Sequence, residues 1–393
     1  MRDAWRNVWL LGAVSLLNDI SGEMVMAVLP FLLVAQGAGG LAIGIVGGVT
    51  EGLGHAMKLA GGWLDERLRR PRLAIASGYL TASLSRFGVA LAGSWGATLA
   101  FRSLDRVGKG LRTAPRDAWL AAQVPPPERA RAFAVHRALD TAGAFLGVVA
   151  VLAGLAWGVG ERDLVLAGAF VGLLALAPLP LLRGDAALRL PAAARHEPRS
   201  PNHAAFVATT CLYYLGRVTY LLFILRAAQA PGGAVGAVAG YLVFNGVYAA
   251  GAYPAAKLAE RHGQGRALVA GFLLGGVASA AFLLPPTTLS VQGGFVLLGV
   301  SFALVEGNAR AVAAGLAGSE GRSTQFGVFH AATGLATLLG GVAAGALWDR
   351  VSPGASFAFG AALAVAAALL MARLAGREPL LRPGKPLAAG GGA

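Results

Sequence analysis

The sequence is 393 residues long and combines 56% hydrophobic residues with only 13% charged residues and a net charge of +14. A soluble domain carries about 25% charged residues, so the composition excludes an ordinary soluble protein. The mean hydropathy of +0.63 and the repeated apolar runs of about 20 residues predict a polytopic membrane protein. A single cysteine, Cys211, excludes an internal disulfide and a cysteine metal cluster.

Apolar runs predict an all-α membrane fold with twelve transmembrane helices. The predicted spans are residues 8–31, 41–64, 73–93, 96–120, 131–154, 163–182, 205–226, 235–257, 266–285, 291–314, 324–347 and 354–374. With a cytoplasmic N-terminus, the cytoplasmic segments hold 20 Lys and Arg residues and the outer loops hold three. The positive-inside rule therefore predicts an integral protein of the inner or cytoplasmic membrane with both termini in the cytoplasm. This placement explains the basic charge without nucleic-acid binding.

The helices fall into two related halves. Residues 184–203 are polar, basic and rich in proline, which predicts a cytoplasmic linker between six-helix bundles at 1–183 and 204–393. Asp65 matches Glu260 with an offset of 195 residues, and His136 matches His330 with an offset of 194. Two matches at nearly one offset indicate an internal duplication. Parallel six-helix repeats are a transporter design with the binding site near the midplane.

The loop after the second span resembles a known family signature. Gly61–Arg70 reads G-x-x-x-D-x-R-x-R-R and resembles the loop motif of the major facilitator superfamily, with Glu66 and Leu68 departing from it. A second copy follows the eighth span at Glu260–Gly263. The resemblance covers the whole chain and implies a twelve-helix secondary transporter. We expect a cytoplasmic gate formed by Asp65, Arg69, Arg70, Glu260 and Arg261.

Three further stretches resemble one branch of that superfamily, which is linked to multidrug efflux. They are "NDISGEM" at 18–24, "DRVGKGLRTAPRDA" at 105–118 and "FGVFHAATGLA" at 326–336. Gly143 and Gly147 match part of the antiporter signature of the fifth helix, where Val148 stands in place of proline. The resemblance implies alternating access and a small-molecule substrate.

The fourth span carries an unusual charged stripe. At 100° per residue, Arg102, Asp105, Lys109, Arg112 and Arg116 fall within a sector of about 80°. A charge at the bilayer centre costs at least ~2.5–3.5 kcal/mol. The stripe must therefore face a water-filled cavity or partner acids, either as a transport pathway or as a salt-bridge network that holds helices together.

Depth along the helices suggests partners for the stripe. Counting 1.5 Å per residue, Asp140 lies at the depth of Arg112, and His136 lies near Arg116. Gly143 on the same face allows a close helix approach. On the outer side of the midplane, Glu23, Asp105 and Arg217 fall at similar depth.

Glu23 and Arg217 are also repeat equivalents, which predicts an ion pair between the halves. In alternating access, protonation of an acid shifts the balance between inward-open and outward-open states. Asp19, Glu23 and Asp105 are the candidate proton carriers, and the branch resemblance favours Asp105.

Two other spans carry polar faces. Glu51, His55 and Lys58 lie at i, i+4 and i+7 on the second helix, where two metal-ligating groups without a third make a weak metal site. Glu306 and Arg310 are an i,i+4 pair that can neutralise itself. The predicted substrate and proton pathway comprises Asp19, Glu23, Arg102, Asp105, Lys109, Arg112, Arg116, His136, Asp140, Arg217, Glu306, Arg310 and His330.

The favoured function is proton-coupled efflux of small amphipathic or cationic organic compounds by a monomer without a cofactor. The alternatives are transport of organic anions by a cavity lined with Lys109, Arg112, Arg116 and Arg217, transport of a metal or metal chelate, and a non-transporting membrane receptor. An enzyme is not expected, because the sequence offers no nucleophile–base constellation and no phosphate-binding loop.

Overall fold

The computed structural model describes residues 2–68, 71–183, 200–283, 285–317 and 322–382, except for the side chains of 2–4, 55–56, 58–68, 114 and 322–324. The described residues form thirteen α-helices: α1 (Arg2–Ala35), α2 (Gly40–Leu68), α3 (Pro71–Leu91), α4 (Trp95–Gln123), α5 (Arg129–Ala156), α6 (Glu161–Leu174), α7 (His203–Gly216), α8 (Tyr220–Ala227), α9 (Gly233–His262), α10 (Gln264–Ala280), α11 (Thr288–Leu316), α12 (Arg322–Arg350) and α13 (Pro353–Arg377). Short 3-10 turns lie at Pro126–Glu128, Leu179–Leu181 and Pro379–Leu381.

The helices confirm the predicted all-α membrane fold with twelve spans, since α7 and α8 together occupy the seventh. Eight described stretches are long and apolar enough to cross a bilayer by composition alone. The charged stripe keeps α4 out of that group, although α4 runs without interruption for 29 residues. Hydropathy alone would therefore miss the described helix that carries the most charged residues.

The chain packs as two compact units. The N-terminal unit comprises Met1–Ala38 and Leu53–Pro191, and the C-terminal unit comprises Gly39–Gly52 and Ala192–Ala393. In the N-terminal unit α1 packs on α5 and α6, and α3 packs on α4 and α6; in the C-terminal unit α7 packs on α12 and α13, and α10 packs on α11 and α13. The same pairing scheme thus recurs in both units. The predicted limits of the linker stay a prediction, because 184–199 lie outside the described residues.

In the C-terminal unit, the first part of α2 packs tightly on α12. A Cβ atom at Gly44 would overlap the carbonyl oxygen of Gly341, and a Cβ atom at Gly341 would overlap that of Gly44. The Asp349 carboxylate accepts the backbone N–H groups of Gly40 (2.6 Å) and Leu41 (2.8 Å) at the start of α2. These donors have no partner within their own helix, so Asp349 satisfies them from α12.

Helix α5 approaches α1 closely through its small residues. A Cβ atom at Gly143 would overlap the carbonyl oxygen of Leu16, and one at Gly147 would overlap that of Ile20. This arrangement brings Asp140, one turn before Gly143, alongside α1.

We expect Gly143→Ala to lower the unfolding temperature of the detergent-purified protein, because overpacking against backbone costs about 1–3 kcal/mol. Gly96→Ala is the matched control, since a Cβ atom at Gly96 on α4 meets no atom within 4 Å. Thermal unfolding of the two variants measures the difference. Equal unfolding temperatures would contradict the close approach of α1 and α5.

Candidate functional site

The N-terminal unit contains a buried ion cluster around Asp105. Its carboxylate contacts the guanidinium groups of Arg86 (3.3 Å), Arg102 (3.1 Å) and Arg106 (2.5 Å). The side chains of Asp105, Arg86 and Arg102 are each at most 2% exposed. The cluster holds three cations around one central anion, and Glu23 lies within electrostatic range of Arg102 and Arg106.

Two members of this cluster, Arg106 on α4 and Arg86 on α3, are not among the predicted pathway residues. The Arg86 side chain bridges several helices. Its Nη1 also donates to the backbone carbonyl of Asn18 on α1 (3.0 Å). Arg86 therefore ties α1, α3 and α4 together. Its signal in the sequence is an isolated arginine inside an apolar span, which by itself marks a partner or a cavity.

The rest of the α4 stripe divides between buried and open positions. Arg112 is buried, stacks over the Tyr79 ring at 4.2 Å and donates to the Gly78 carbonyl. Arg116 pairs with Asp117 at 2.9 Å. Lys109 is exposed. Arg112 is thus covered by an aromatic ring and Arg116 is paired with an acid, whereas Lys109 remains exposed.

A second polar group joins α1 and α5. The Ser15 hydroxyl donates to Asp140 at 2.8 Å, and Arg137 pairs with Asp140 at 3.1 Å. The Asn18 amide donates to Asp19 at 3.0 Å. Asp19 and Asp140 lie within electrostatic range of each other across the α1–α5 interface. The structure therefore brings together two acids that the sequence analysis placed on separate helices.

His136 lies one turn before Asp140 on α5. It is 4% exposed, and its Nε2 atom has no hydrogen-bond partner in the described part of the chain. Asp140 and Arg116 are both within electrostatic range of its ring. The predicted proximity of His136 to Arg116 agrees with this placement.

In the C-terminal unit, Arg217 lies between two carboxylates. Its guanidinium contacts Glu306 on α11 at 2.6 Å and Glu51 on α2 at 3.2 Å. The Thr219 hydroxyl donates to Glu51 at 2.8 Å, and the Tyr214 hydroxyl donates to Glu306 at 3.1 Å. We name Glu51, Arg217 and Glu306 the acid–arginine triad.

The triad forms where the seventh span is broken. Helix α7 ends at Gly216 and α8 begins at Tyr220, with Arg217 in an extended conformation between them. Discontinuous helices at membrane depth are tolerated where other groups satisfy the freed backbone and side chains. The carboxylate of Glu51 takes this role for Thr219.

Aromatic rings surround the triad. The guanidinium of Arg217 lies over the rings of Tyr214 (4.5 Å) and Phe302 (4.8 Å). Ring contacts at centroid distances of 5.1–6.3 Å link the rings of α8, α9 and α11 that belong to this group. The aromatic group comprises Tyr220, Tyr241, Phe244, Tyr248 and Phe302.

Arg310 and His330 are the remaining predicted pathway residues of the C-terminal unit. Arg310 donates through Nε to the backbone carbonyl of Glu306, whose carboxylate bonds Arg217 and Tyr214. His330 packs between the rings of Phe326 and Phe329. The ion pair between Glu23 and Arg217 stays a prediction.

The cytoplasmic gate is described only in part. Glu260 and Arg261 are exposed at the end of α9, whereas the side chain of Asp65 and both Arg69 and Arg70 lie outside the described residues. The side chain of His55 lies outside them too, which leaves the proposed Glu51–His55 metal pair without a described geometry. Within the described residues, no three His, Cys, Asp or Glu side chains come together as metal ligands.

Comparison with known proteins identifies the family that shares this architecture. The family profile described as Major Facilitator Superfamily matches residues 11–208 and again 204–392. An uncharacterised MFS-type transporter of Methanocaldococcus jannaschii is 31% identical over 382 residues, covering 94% of this chain and 95% of the relative. An uncharacterised protein of Mycobacterium tuberculosis is 30% identical over 379 residues, covering 88% and 87% of the two chains.

Solved structures show the same fold. A mutant of the peptide transporter POT bound to sulfate has a TM-score of 0.79 at 13% identity, with 95% of this chain and 94% of that chain covered. A mutant of the nucleoside transporter NupG also has a TM-score of 0.79 at 13% identity, with 94% and 99% covered. Profile, relatives and fold agree on a secondary transporter rather than an enzyme, and the chain belongs to the Major Facilitator Superfamily.

Proposed function

We propose that this protein is a monomeric, proton-coupled transporter that exports small amphipathic or cationic organic compounds across the cytoplasmic membrane. Both termini lie in the cytoplasm in this proposal, as the distribution of basic residues predicts. The two six-helix halves alternate access to the substrate, and proton entry drives substrate exit.

The acid–arginine triad is the observation that carries the proposed substrate class. One guanidinium faces two carboxylates, so with all three groups ionised the triad has a surplus negative charge. A buried surplus charge is costly unless another charge compensates it. A transported organic cation supplies that compensation.

The aromatic group beside the triad suits the same ligand. Tyr220 and Tyr248 are half-buried rather than enclosed, so their rings are available to a bound molecule. Aromatic faces attract cations by about 0.5–2 kcal/mol each. They also bury the apolar part of an amphipathic compound.

One observation favours a second candidate function, the transport of organic anions. The cluster around Asp105 has three arginines, and the Nε atoms of Arg86 and Arg102 are buried without a partner among the described residues. Guanidinium groups are the usual partners of carboxylates and phosphates. The two candidates make opposite predictions for charged substrates.

We expect Glu306→Gln to reduce transport of organic cations about 10- to 100-fold, because a hydrogen bond to a charged group contributes about 1.5–3 kcal/mol. The assay uses purified protein in liposomes with an imposed proton gradient and a panel of cationic dyes and organic anions. Asp163→Asn is the control, because Asp163 is exposed in the first turn of α6 and belongs to neither the pathway nor the gate. Transport of anions alone by the unmodified protein would contradict the proposal and favour the second candidate.

A further inference from the structure

The end of the sixth span is surrounded by arginines that the proposed transport does not use. Helix α6 packs on both α1 and α3. Arg6 on α1 donates through Nη2 to the carbonyl oxygen of Leu181 (3.4 Å), and Arg72 at the start of α3 donates through Nη1 to that of Leu182 (3.1 Å). Consecutive Cα atoms are about 3.8 Å apart, so guanidinium groups from two helices reach neighbouring residues of one segment.

Arg183 is the third arginine at this place. Its backbone N–H donates to the side-chain oxygen of Asn7 (3.2 Å), and its backbone carbonyl accepts from the Asn7 amide (2.7 Å). Asn7 is 3% exposed and also donates to Gln123 (2.7 Å). The chain at Arg183 is therefore fixed to α1, one residue after Arg6. We name Arg6, Arg72 and Arg183 the arginine rim.

The arginine rim has more hydrogen-bond donors than the backbone requires. Cations stabilise the end of a helical span because its last carbonyl oxygens lack partners within the helix, but this role takes one donor from each arginine. A guanidinium group has five N–H donors. The Nε atom of Arg6 is buried and has no partner among the described residues. Arg183 bonds the described residues only through its backbone, and its side chain is exposed.

The charge of the rim is also uncompensated in part. In the described part of the chain, no acid forms an ion pair with Arg6 or Arg183. Several like charges held at one place without a counter-charge repel one another. An anion that binds there would remove this repulsion and accept the remaining N–H groups.

Exposed apolar side chains lie on the same elements as the arginine rim. Leu73 and Leu181 are each 57% exposed, and Trp9, three residues after Arg6 on α1, is 55% exposed. The end of a transmembrane span lies at the headgroup layer, where tryptophan is also enriched. The rim is therefore at the depth of lipid phosphates, with apolar groups beside it for the acyl chains.

We propose that the arginine rim binds the phosphate group of an anionic lipid. A guanidinium group binds phosphate oxygens through two parallel hydrogen bonds, and basic pockets between transmembrane helices bind anionic headgroups on the cytoplasmic side. The predicted topology places the rim on that side. A free phosphate ion offers the same oxygens, but the exposed apolar groups give a lipid further contacts. The bound lipid joins α1, α3 and the end of α6.

The test is native mass spectrometry of the detergent-purified full-length protein, titrated with dioleoyl phosphatidylglycerol, dioleoyl phosphatidylcholine or inorganic phosphate. We expect phosphatidylglycerol to bind about 10-fold more tightly than phosphatidylcholine, which corresponds to about 1.4 kcal/mol. Arg72→Gln and Arg183→Gln are each expected to weaken phosphatidylglycerol binding about 10-fold. Arg266→Gln is the matched control and is expected to keep the affinity, since Arg266 is exposed at the start of α10 and lies outside the rim.

Arg183→Gln decides the test if loss of a backbone donor prevents Arg72→Gln from folding, because the Arg183 side chain bonds none of the described residues. Equal affinity for the two lipids, unchanged affinity in Arg183→Gln, or an equal loss in Arg266→Gln would overturn the proposal. Inorganic phosphate that binds as tightly as phosphatidylglycerol would show a site for a free anion and would overturn the assignment to a lipid.

Thermal unfolding gives a second measurement of the same site. A ligand that binds only the folded state raises its stability, so we expect phosphatidylglycerol to raise the unfolding temperature of the unmodified protein more than that of Arg183→Gln. An equal rise in both proteins would contradict the proposal. Neither measurement involves a transported substrate, so both outcomes are independent of the proposed export.

Discussion

Asp105→Asn is expected to lower the free energy of unfolding by about 3–5 kcal/mol, which is the usual cost of removing one partner from a buried ion pair. The asparagine side chain keeps the shape of the aspartate but not its charge. Arg86, Arg102 and Arg106 would then face one another in a region where Arg86 and Arg102 are almost fully buried. Thermal unfolding of the detergent-purified protein measures the loss as a drop of several degrees.

The control for this prediction is Asp163→Asn. Asp163 lies in the first turn of α6 and is exposed, so the same chemical change there is expected to stay within about 1 kcal/mol. A double variant tests the charge balance directly. Adding Arg86→Gln to Asp105→Asn removes one of the stranded cations and is expected to recover part of the lost stability. Additive losses in the double variant would show that the three arginines do not interact through Asp105.

The ion cluster around Asp105 shows which features of the site can be predicted from the sequence and which cannot. Helical periodicity places Arg102 and Asp105 on one face, and the structure confirms that both are buried. Periodicity gives the azimuth on one helix and residue counting gives the depth, but neither gives the helix that lies opposite. Arg86 stands alone in its span, so no repeating pattern marks it as the partner of Asp105.

The broken seventh span shows a second limit. Residues 205–226 read as one apolar run, and the structure divides them into α7 and α8 at Arg217. No proline lies within the run to end a helix there. The break is stabilised by Glu51, which is 166 residues away from Arg217 in the chain. Span lengths depend on local hydrophobicity and are predictable, whereas this contact depends on tertiary packing.

The α1–α5 interface can be predicted in part. Gly143 and Gly147 at a four-residue spacing predict a close helix approach, and the structure shows it against α1. The depth estimate placed Asp140 level with Arg112, and the structure gives Asp140 partners at Ser15 and Arg137. The spacing of small residues thus indicates which face of α5 makes the contact. The polar partners of Asp140 cannot be predicted until the helix that packs on this face is known.

Arg217→Gln is the second change with a large expected effect. It leaves Glu51 and Glu306 without the cation that separates them, and the side chains of these acids are only 9% and 14% exposed. We expect a loss of about 3–5 kcal/mol in the free energy of unfolding, together with loss of proton-driven transport. Arg137→Gln is the control for stability, because the Arg137 side chain is 69% exposed and an exposed ion pair contributes at most about 1 kcal/mol.

Two further variants separate charge from geometry at this position. Arg217→Lys keeps the positive charge but cannot bridge two carboxylates and stack between two rings at once, so we expect it to retain part of the stability and little transport. Adding Glu51→Gln to Arg217→Gln removes the repulsion between the acids and is expected to recover stability while Glu306 still binds cations. If the double variant is no more stable than Arg217→Gln alone, repulsion between the two carboxylates is not the cause of the loss. The role of Arg217 would then lie in packing between Tyr214 and Phe302, and the surplus charge that underlies the proposed substrate class would lose its main support.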